Sequence, residues 1–111
     1  PGGDNQDQAL VQLLLNVVEF GMDAQAATES PRLQTRHYVS SFDNHAMYPG
    51  DLLLDDRVSP VTARELAGRG HKTQQRSKWS SGAAPVLIRV QLNNVIEAGA
   101  DPFGYRNSQA W

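Results

Sequence analysis

Between Gln8 and Phe20 the chain passes through Ala9, Leu10, Val11, Leu13, Leu14, Leu15, Val17, Val18 and Phe20, and its polar positions are Gln8, Gln12, Asn16 and Glu19. Those polar positions recur every three or four residues, so they share one narrow stripe of a helix. The rest of the circumference is apolar, which predicts a largely buried helix over Ala9–Phe20. Asn5 and Gln8, three apart and just ahead of the run, read as a capping box. Gly21 reads as the C-terminal stop. A domain of this size has too little chain to cover such a helix on every side. Part of the cover is therefore expected from residues or a subunit beyond this sequence.

Asp23 suits the N-cap of a short second helix that reaches about Glu29. Ser30-Pro31 ends it, because the residue before proline avoids helical angles. The period then drops to two: Leu33, Thr35, His37 and Val39 alternate with Arg32, Gln34, Arg36 and Tyr38, which predicts a strand. Ser40–Pro49 reads as a polar loop and Asp51–Leu54 as a short strand entered through Pro49-Gly50. Ser59-Pro60 is a helix start, and the helix Val61–Arg69 stops at Gly70. His71–Lys78 reads as a mostly polar strand and Trp79–Gly82 as a turn. Pro85–Gln91 and Asn94–Ala98 read as strands joined near Leu92-Asn93, with an irregular tail from Gly99 to Trp111. The order is helix, helix, strand, strand, helix and three strands. That is an α+β fold with an antiparallel ending.

Composition narrows the function classes. The 111 residues fit one domain by length. Ten Lys and Arg against twelve Asp and Glu leave a net charge of -2 with no basic cluster, which argues against a nucleic-acid partner. No apolar run reaches the roughly 18–20 residues of a membrane helix. The absence of cysteine excludes disulfides, thiolate metal sites and thiol nucleophiles. The sequence opens at Pro1 with no initiator Met and no signal segment, so it reads as processed or as a piece of something longer.

The element richest in chemistry is Pro1-Gly2-Gly3-Asp4, running straight into the first helix. Two glycines let backbone N–H groups approach a ligand with no side chain in the way. The helix start behind them adds partial positive charge. Such a pair can hold a developing oxyanion or a small anion; it also reads as an ordinary tight turn. His37, His45 and His71 lack the spacing of a zinc site. Asp55 and Asp56, next to Arg57, read as a solvated loop. Ser80 and Ser81 beside Gly82 carry no nucleophile-elbow pattern. Trp79 and Trp111 read as packing residues. No cofactor and no metal site is expected.

Across essentially its whole length the sequence resembles the C-terminal part of the small subunit of the gamma-glutamyltransferase (gamma-glutamyltranspeptidase) family. The matching blocks are Pro1-Gly2-Gly3-Asp4, Leu15–Met22, Ala26-Ala27-Thr28-Glu29-Ser30-Pro31-Arg32, the Ser59–His71 helix ending in Gly68-Arg69-Gly70-His71, and Gly99-Ala100-Asp101-Pro102 with a terminal aromatic. The first and third blocks are the most specific.

The resemblance implies a fold that is part of an N-terminal-nucleophile hydrolase αββα sandwich, with antiparallel strands and packed helices. It implies a precursor that cuts itself into a large and a small subunit. The freed threonine is then the nucleophile and its own amine the base. The threonine attacks the gamma-glutamyl carbonyl of glutathione or a related amide, and the acyl group passes to water or an amino acid. The glycine pair of the motif supplies the oxyanion hole, which places that role on Gly2 and Gly3. Asp4 is expected to act as a helix cap.

On this reading residues 1–111 are the C-terminal segment of a small subunit and an incomplete domain. The expected partners are the remainder of the small subunit, the large subunit and a gamma-glutamyl small-molecule substrate, with no nucleic acid and no membrane. Thr28, Thr35, Thr62 and Thr73 do not match the nucleophile's context, so the nucleophile is expected upstream and this chain alone is expected to be inactive. The family resemblance also points to a periplasmic or extracellular location. One departure stands out: Phe103 follows Asp101-Pro102 where family members often carry Arg, and Arg106 is the nearest substitute. It leaves open a different acyl specificity, such as that of a cephalosporin-acylase-like relative. The non-catalytic rival is a remnant that acts as a binding or interaction module through an exposed face.

Overall fold

The structure is a computed structural model that describes residues 2–42, 44–80, 82–104 and 107–108. Helix α1 spans Gln6–Val18 and is entered through a 3-10 turn at Gly3–Asn5. It starts three residues earlier than the apolar run suggested and stops short of Phe20. Asn5 precedes it in a helical conformation and its side chain makes no capping bond, so the expected capping box does not form. Gly21 does terminate the segment, at φ 66°. The Asp23 cap forms as expected, with Oδ1 accepting from the Ala26 N–H at 2.7 Å ahead of α2, Ala24–Glu29.

The polar stripe of α1 faces inward, not toward solvent. Gln8 Oε1 accepts from the Thr35 N–H at 2.8 Å, and Gln8 Nε2 donates to the Thr35 carbonyl at 3.0 Å. Gln12 makes the same pair with Leu33, at 2.8 and 2.9 Å. Leu33 and Thr35 belong to β1, Leu33–Thr35, whose other edge pairs antiparallel with β2, Asp51–Asp55. The edge of a strand presents N–H and C=O groups that need partners. A glutamine carboxamide carries the same donor and acceptor as a peptide, so α1 closes that edge as a further strand would.

This choice reverses the expected burial. Among the described residues of α1 only Ala9 and Leu13 are buried, whereas Leu10, Leu14 and Val18 are 52%, 62% and 71% exposed. The prediction of a largely buried helix therefore fails for this chain taken alone. The physical reason is that its own sheet is contacted by the polar side, which leaves the apolar side turned away.

The first sheet has the order β1-β2-β3, with β3 at Lys72–Arg76. The β2–β3 pair is parallel, which requires a crossover, and α3, Pro60–Gly68, supplies it. Ser59 caps α3 with Oγ accepting from the Thr62 N–H at 3.0 Å, and Pro60 opens the helix. Leu52, Leu53 and Leu54 of β2 are all buried, as a central strand requires. β1 is shorter than the alternation suggested. After Thr35 the chain leaves the ladder, because Arg36 and His37 bond to the far end of the loop: the Arg36 carbonyl accepts from the Tyr48 N–H, and His37 Nδ1 from the Gly50 N–H.

The second sheet pairs β4, Val86–Val90, antiparallel with β5, Ile96–Ala100. β5 thus begins later than Asn94 and runs into the expected tail, since Asn94 takes the turn at φ 61°. Helix α2 lies on this sheet so closely that a Cβ on Gly99 would overlap the Ala24 carbonyl. Gln25 repeats the carboxamide device here, bonding both the N–H and the C=O of Ala100 at 3.1 and 3.0 Å. The α+β class and the antiparallel ending are as expected from the sequence.

Ion pairs tie the pieces together. Arg32, just past α2, pairs with Asp101, just past β5, and their side chains are 10% and 1% exposed. Arg32 also donates to the Thr28 and Ala83 carbonyls. Asp51 pairs with Arg36 at 2.8 Å. Asp55, expected in a solvated loop, is instead the buried end of β2 and pairs with Arg57 at 2.7 Å.

The Arg36 hydrogen bonds hold the Asp51 carboxyl below its ordinary pKa. Burial pushes Asp55 up, but the Arg57 guanidinium and backbone N–H outweigh it and leave it lowered too.

Two outcomes follow. Asp101→Ala strands a buried guanidinium and is expected to destabilise the protein by about 3–5 kcal/mol, read from the denaturant midpoint. The Asp51 and Asp55 pairs stabilise fully above the unfolded carboxylate pKa of about 3.9, and their contribution is lost as pH falls through the lower folded values. The melting temperature should therefore drop in the acid range below that value, and Asp51→Asn should flatten that limb; an identical acid limb in the variant refutes the assignment.

Candidate functional site

Two successive residues of positive φ shape the start of the chain: Gly2 at 132° and Gly3 at 50°. L side chains rarely enter this region, and space forbids them as well. A Cβ on Gly2 would sit 3.1 Å from both the Ala83 Cβ and the Gly82 carbonyl oxygen. On Gly3 it would sit 2.9 Å from Cε2 of Phe42. Among the described residues, neither the Gly2 nor the Gly3 N–H has an acceptor. Behind them the Gly2 carbonyl accepts from the Asn5 N–H at 2.9 Å, which closes the turn onto the helix.

Asp4 departs from its expected role. Its Oδ2 accepts from the Ser41 N–H at 2.8 Å and does not cap α1. That bond lowers the Asp4 pKa, the backbone N–H of Ser41 being the main cause. It fastens the loop segment around Ser41 to the glycine turn. Between the two lies a cleft of about 320 Å³, bordered by Gly2, Asp4, Asn5, Arg36, Phe42 and Tyr48 among others. The Arg36 guanidinium lies 4.5 Å over the Tyr48 ring.

The tertiary structure brings three of the sequence blocks to this place. Gly2 rests on Gly82 and Ala83, the Ala83 carbonyl accepts from Arg32, and Arg32 holds Asp101. The first block, the third and the last are thus joined within one set of contacts. That the loop walls the site was signalled in the sequence only by apolar Phe42, Ala46, Met47 and Tyr48 within a segment read as polar.

Other candidates stand apart. His45 Nδ1 bonds the Ser40 carbonyl at 2.8 Å, and no group of three or more His, Asp or Glu that could hold a metal is found among the described residues. No helix of the described residues is long and apolar enough to cross a membrane. Thr28 is buried and donates to the Gln25 carbonyl, whereas Thr35 Oγ1 donates to Asp51. Trp79 packs edge-on against Phe103 at 4.9 Å. Pro1, Ser81, Arg106 and Trp111 lie outside the described residues.

The solved structure of LmbA2991T421A superposes with a TM-score of 0.84 at 31% identity, over 94% of this chain and 19% of that one. The cephalosporin acylase of Bacillus halodurans shares the fold at a TM-score of 0.76 and 24% identity, over 92% of this chain and 17% of that one. The glutathione hydrolase proenzyme of Escherichia coli (strain K12) is 24% identical over 102 residues, which are 92% of this chain. The chain spans about 15% of the length of that relative. The fold is part of an N-terminal-nucleophile hydrolase sandwich. The gamma-glutamyltranspeptidase family model matches residues 1–111, and the chain belongs to that family.

Proposed function

We propose that residues 1–111 are the C-terminal segment of the small subunit of an enzyme that transfers or hydrolyses gamma-glutamyl groups of glutathione-type amides. In this reading Gly2 and Gly3 supply the oxyanion hole. The observation that carries it is the pair of successive glycine N–H groups in positive-φ conformation, without acceptors among the described residues, ahead of a helix start and with Gly2 lining a cleft. Preorganised donors of this kind stabilise the negative charge that grows on a carbonyl oxygen when a nucleophile adds to its carbon.

The nucleophile belongs to a threonine upstream of this segment. Its hydroxyl oxygen adds to the amide carbonyl and its proton passes to the threonine's own amine. The tetrahedral intermediate collapses with loss of the substrate amine, which takes that proton. Water or an acceptor amine then releases the acyl group. The Gly2 and Gly3 N–H groups act on the oxygen in both halves. The remainder of the small subunit and the large subunit cover the apolar side of α1. The segment alone therefore lacks turnover.

A second reading, cephalosporin-acylase-like acyl specificity in the same site, is favoured by Phe103. It occupies the place of a frequent family arginine, packs on Trp79 and lies 4.9 Å from the Arg57 guanidinium. An aromatic ring there cannot supply the charged donor that an arginine would.

The test uses the complete, self-processed protein. Hydrolysis of gamma-glutamyl-p-nitroanilide is expected, and Gly3→Ala should lower kcat by about 10²–10³-fold, the loss typical of one oxyanion donor. Alanine keeps the N–H and acts by displacing it, through the strain of positive φ and the clash with Phe42; an unchanged kcat in folded, self-processed Gly3→Ala would sink the oxyanion assignment.

A further inference from the structure

The two glycines that form the turn are also its weakness. A residue without a Cβ has no steric reason to stay at positive φ, because glycine visits many backbone conformations at similar cost. Oxyanion donors must nevertheless be fixed before charge develops. A misplacement of about 1 Å can cost about 10²-fold in rate. Gly2 and Gly3 therefore need anchors on the residues that follow them.

The structure supplies three. The Gly2 carbonyl accepts from the Asn5 N–H at 2.9 Å. The Asp4 carbonyl accepts from Gln8 Nε2 at 3.3 Å, and the same carboxamide meets the N–H and the C=O of Thr35. These two contacts tie the turn to α1 and, through Gln8, to β1. The third anchor is the Asp4 side chain, whose Oδ2 accepts from the Ser41 N–H at 2.8 Å.

Both ends of that third bond are held independently. Asp4 stands in the 3-10 turn that leads into α1. On the other side Ser40, next to Ser41, donates its N–H to the Ala46 carbonyl at 3.1 Å, and its own carbonyl accepts from His45 Nδ1 at 2.8 Å. Thirty-seven positions separate Asp4 from Ser41, so the bond joins the glycine turn to a distant part of the chain. A carboxylate accepting from a backbone N–H is charge-assisted and roughly twice as strong as a neutral bond. The Asp4 side chain caps no helix, and no cation pairs with it among the described residues.

We propose, resting on the acyl-transfer reading above, that Asp4 is a positioning residue: its bond to the Ser41 N–H holds the Gly2-Gly3 turn in the conformation that presents the oxyanion donors. The bond does this, not the charge. A carboxylate one residue from the donors repels a developing oxyanion. Asparagine, which keeps the acceptor oxygen and drops the charge, therefore serves in its place.

The test measures kcat and KM for gamma-glutamyl-p-nitroanilide in Asp4→Ala and Asp4→Asn of the complete, self-processed protein. Rates are referred to the processed fraction, seen as separate subunits on a denaturing gel. Asp4→Ala is expected to lower kcat about tenfold to a hundredfold with KM within about twofold, since the loss falls on the transition state and not on ground-state binding. Asp4→Asn should stay within about twofold of the parent in both constants. Glycine-selective isotope labelling for NMR gives a readout independent of turnover. The Gly2 and Gly3 amides should lose order in Asp4→Ala, seen as a lower heteronuclear NOE, and keep it in Asp4→Asn. An unchanged kcat in Asp4→Ala, a fall in Asp4→Asn as large as in Asp4→Ala, or a loss confined to KM overturns the assignment. So do glycine amides equally ordered in all three proteins. A parent protein that hydrolyses no gamma-glutamyl anilide would refute the acyl-transfer reading, and a loss of glycine order confined to Asp4→Ala would then leave Asp4 standing as the anchor of the turn.

Discussion

The ion pair between Arg32 and Asp101 is the contact on which the arrangement depends. It spans the chain from the end of α2 to the end of β5, and both side chains are nearly closed to solvent. A buried charge without its partner is far more costly than the pair is favourable. The two segments must therefore close together or not at all. Closure brings Arg32 within reach of the Ala83 carbonyl, and Ala83 is the surface on which Gly2 rests. A bond far from the glycine N–H groups in this way sets where they stand.

The carboxamide contacts serve a different need. Strand edges must be satisfied wherever the sheet does not continue. Here α1 and α2 do so with side chains, at Leu33 and Thr35 on one sheet and Ala100 on the other. The consequence is a helix turned with its polar stripe toward its own domain. Its apolar side, together with Val86, Ile88 and Val90 of β4, stays exposed. Monomeric proteins seldom leave large contiguous apolar patches uncovered. The relatives this chain matches are several times longer than it is.

The glycine turn and the loop that Asp4 fastens to it border the same cleft. Gly2 and Gly3 both take positive φ, their N–H groups have no acceptor among the described residues, and crowding by Ala83 and Phe42 keeps both positions free of side chains. Asp4 adds a fixed link to Ser41. Geometry of this type suits charge stabilisation, because the donors need no rearrangement when charge develops.

Much of this was legible in the residues. Ser59-Pro60 and Asp23 fixed helix starts because capping is local: a side-chain oxygen meets an N–H two or three positions on. A tight turn at Gly2-Gly3 was legible because only glycine suits successive positive φ. The failures were all nonlocal. The capping-box pattern at Asn5 and Gln8 was genuine as a spacing, yet Gln8 found a stronger partner in Thr35, twenty-seven positions away. Asp4 likewise met Ser41 rather than the helix behind it. The stripe on α1 was read correctly as a stripe, but its direction was not, since periodicity says which residues share a face and not what lies opposite. Nor could spacing reveal that Phe42 would stand on Gly3, or that Arg32 would meet Asp101. Sequence settled the local conformations of this protein; only the packed chain decided which polar groups would satisfy one another.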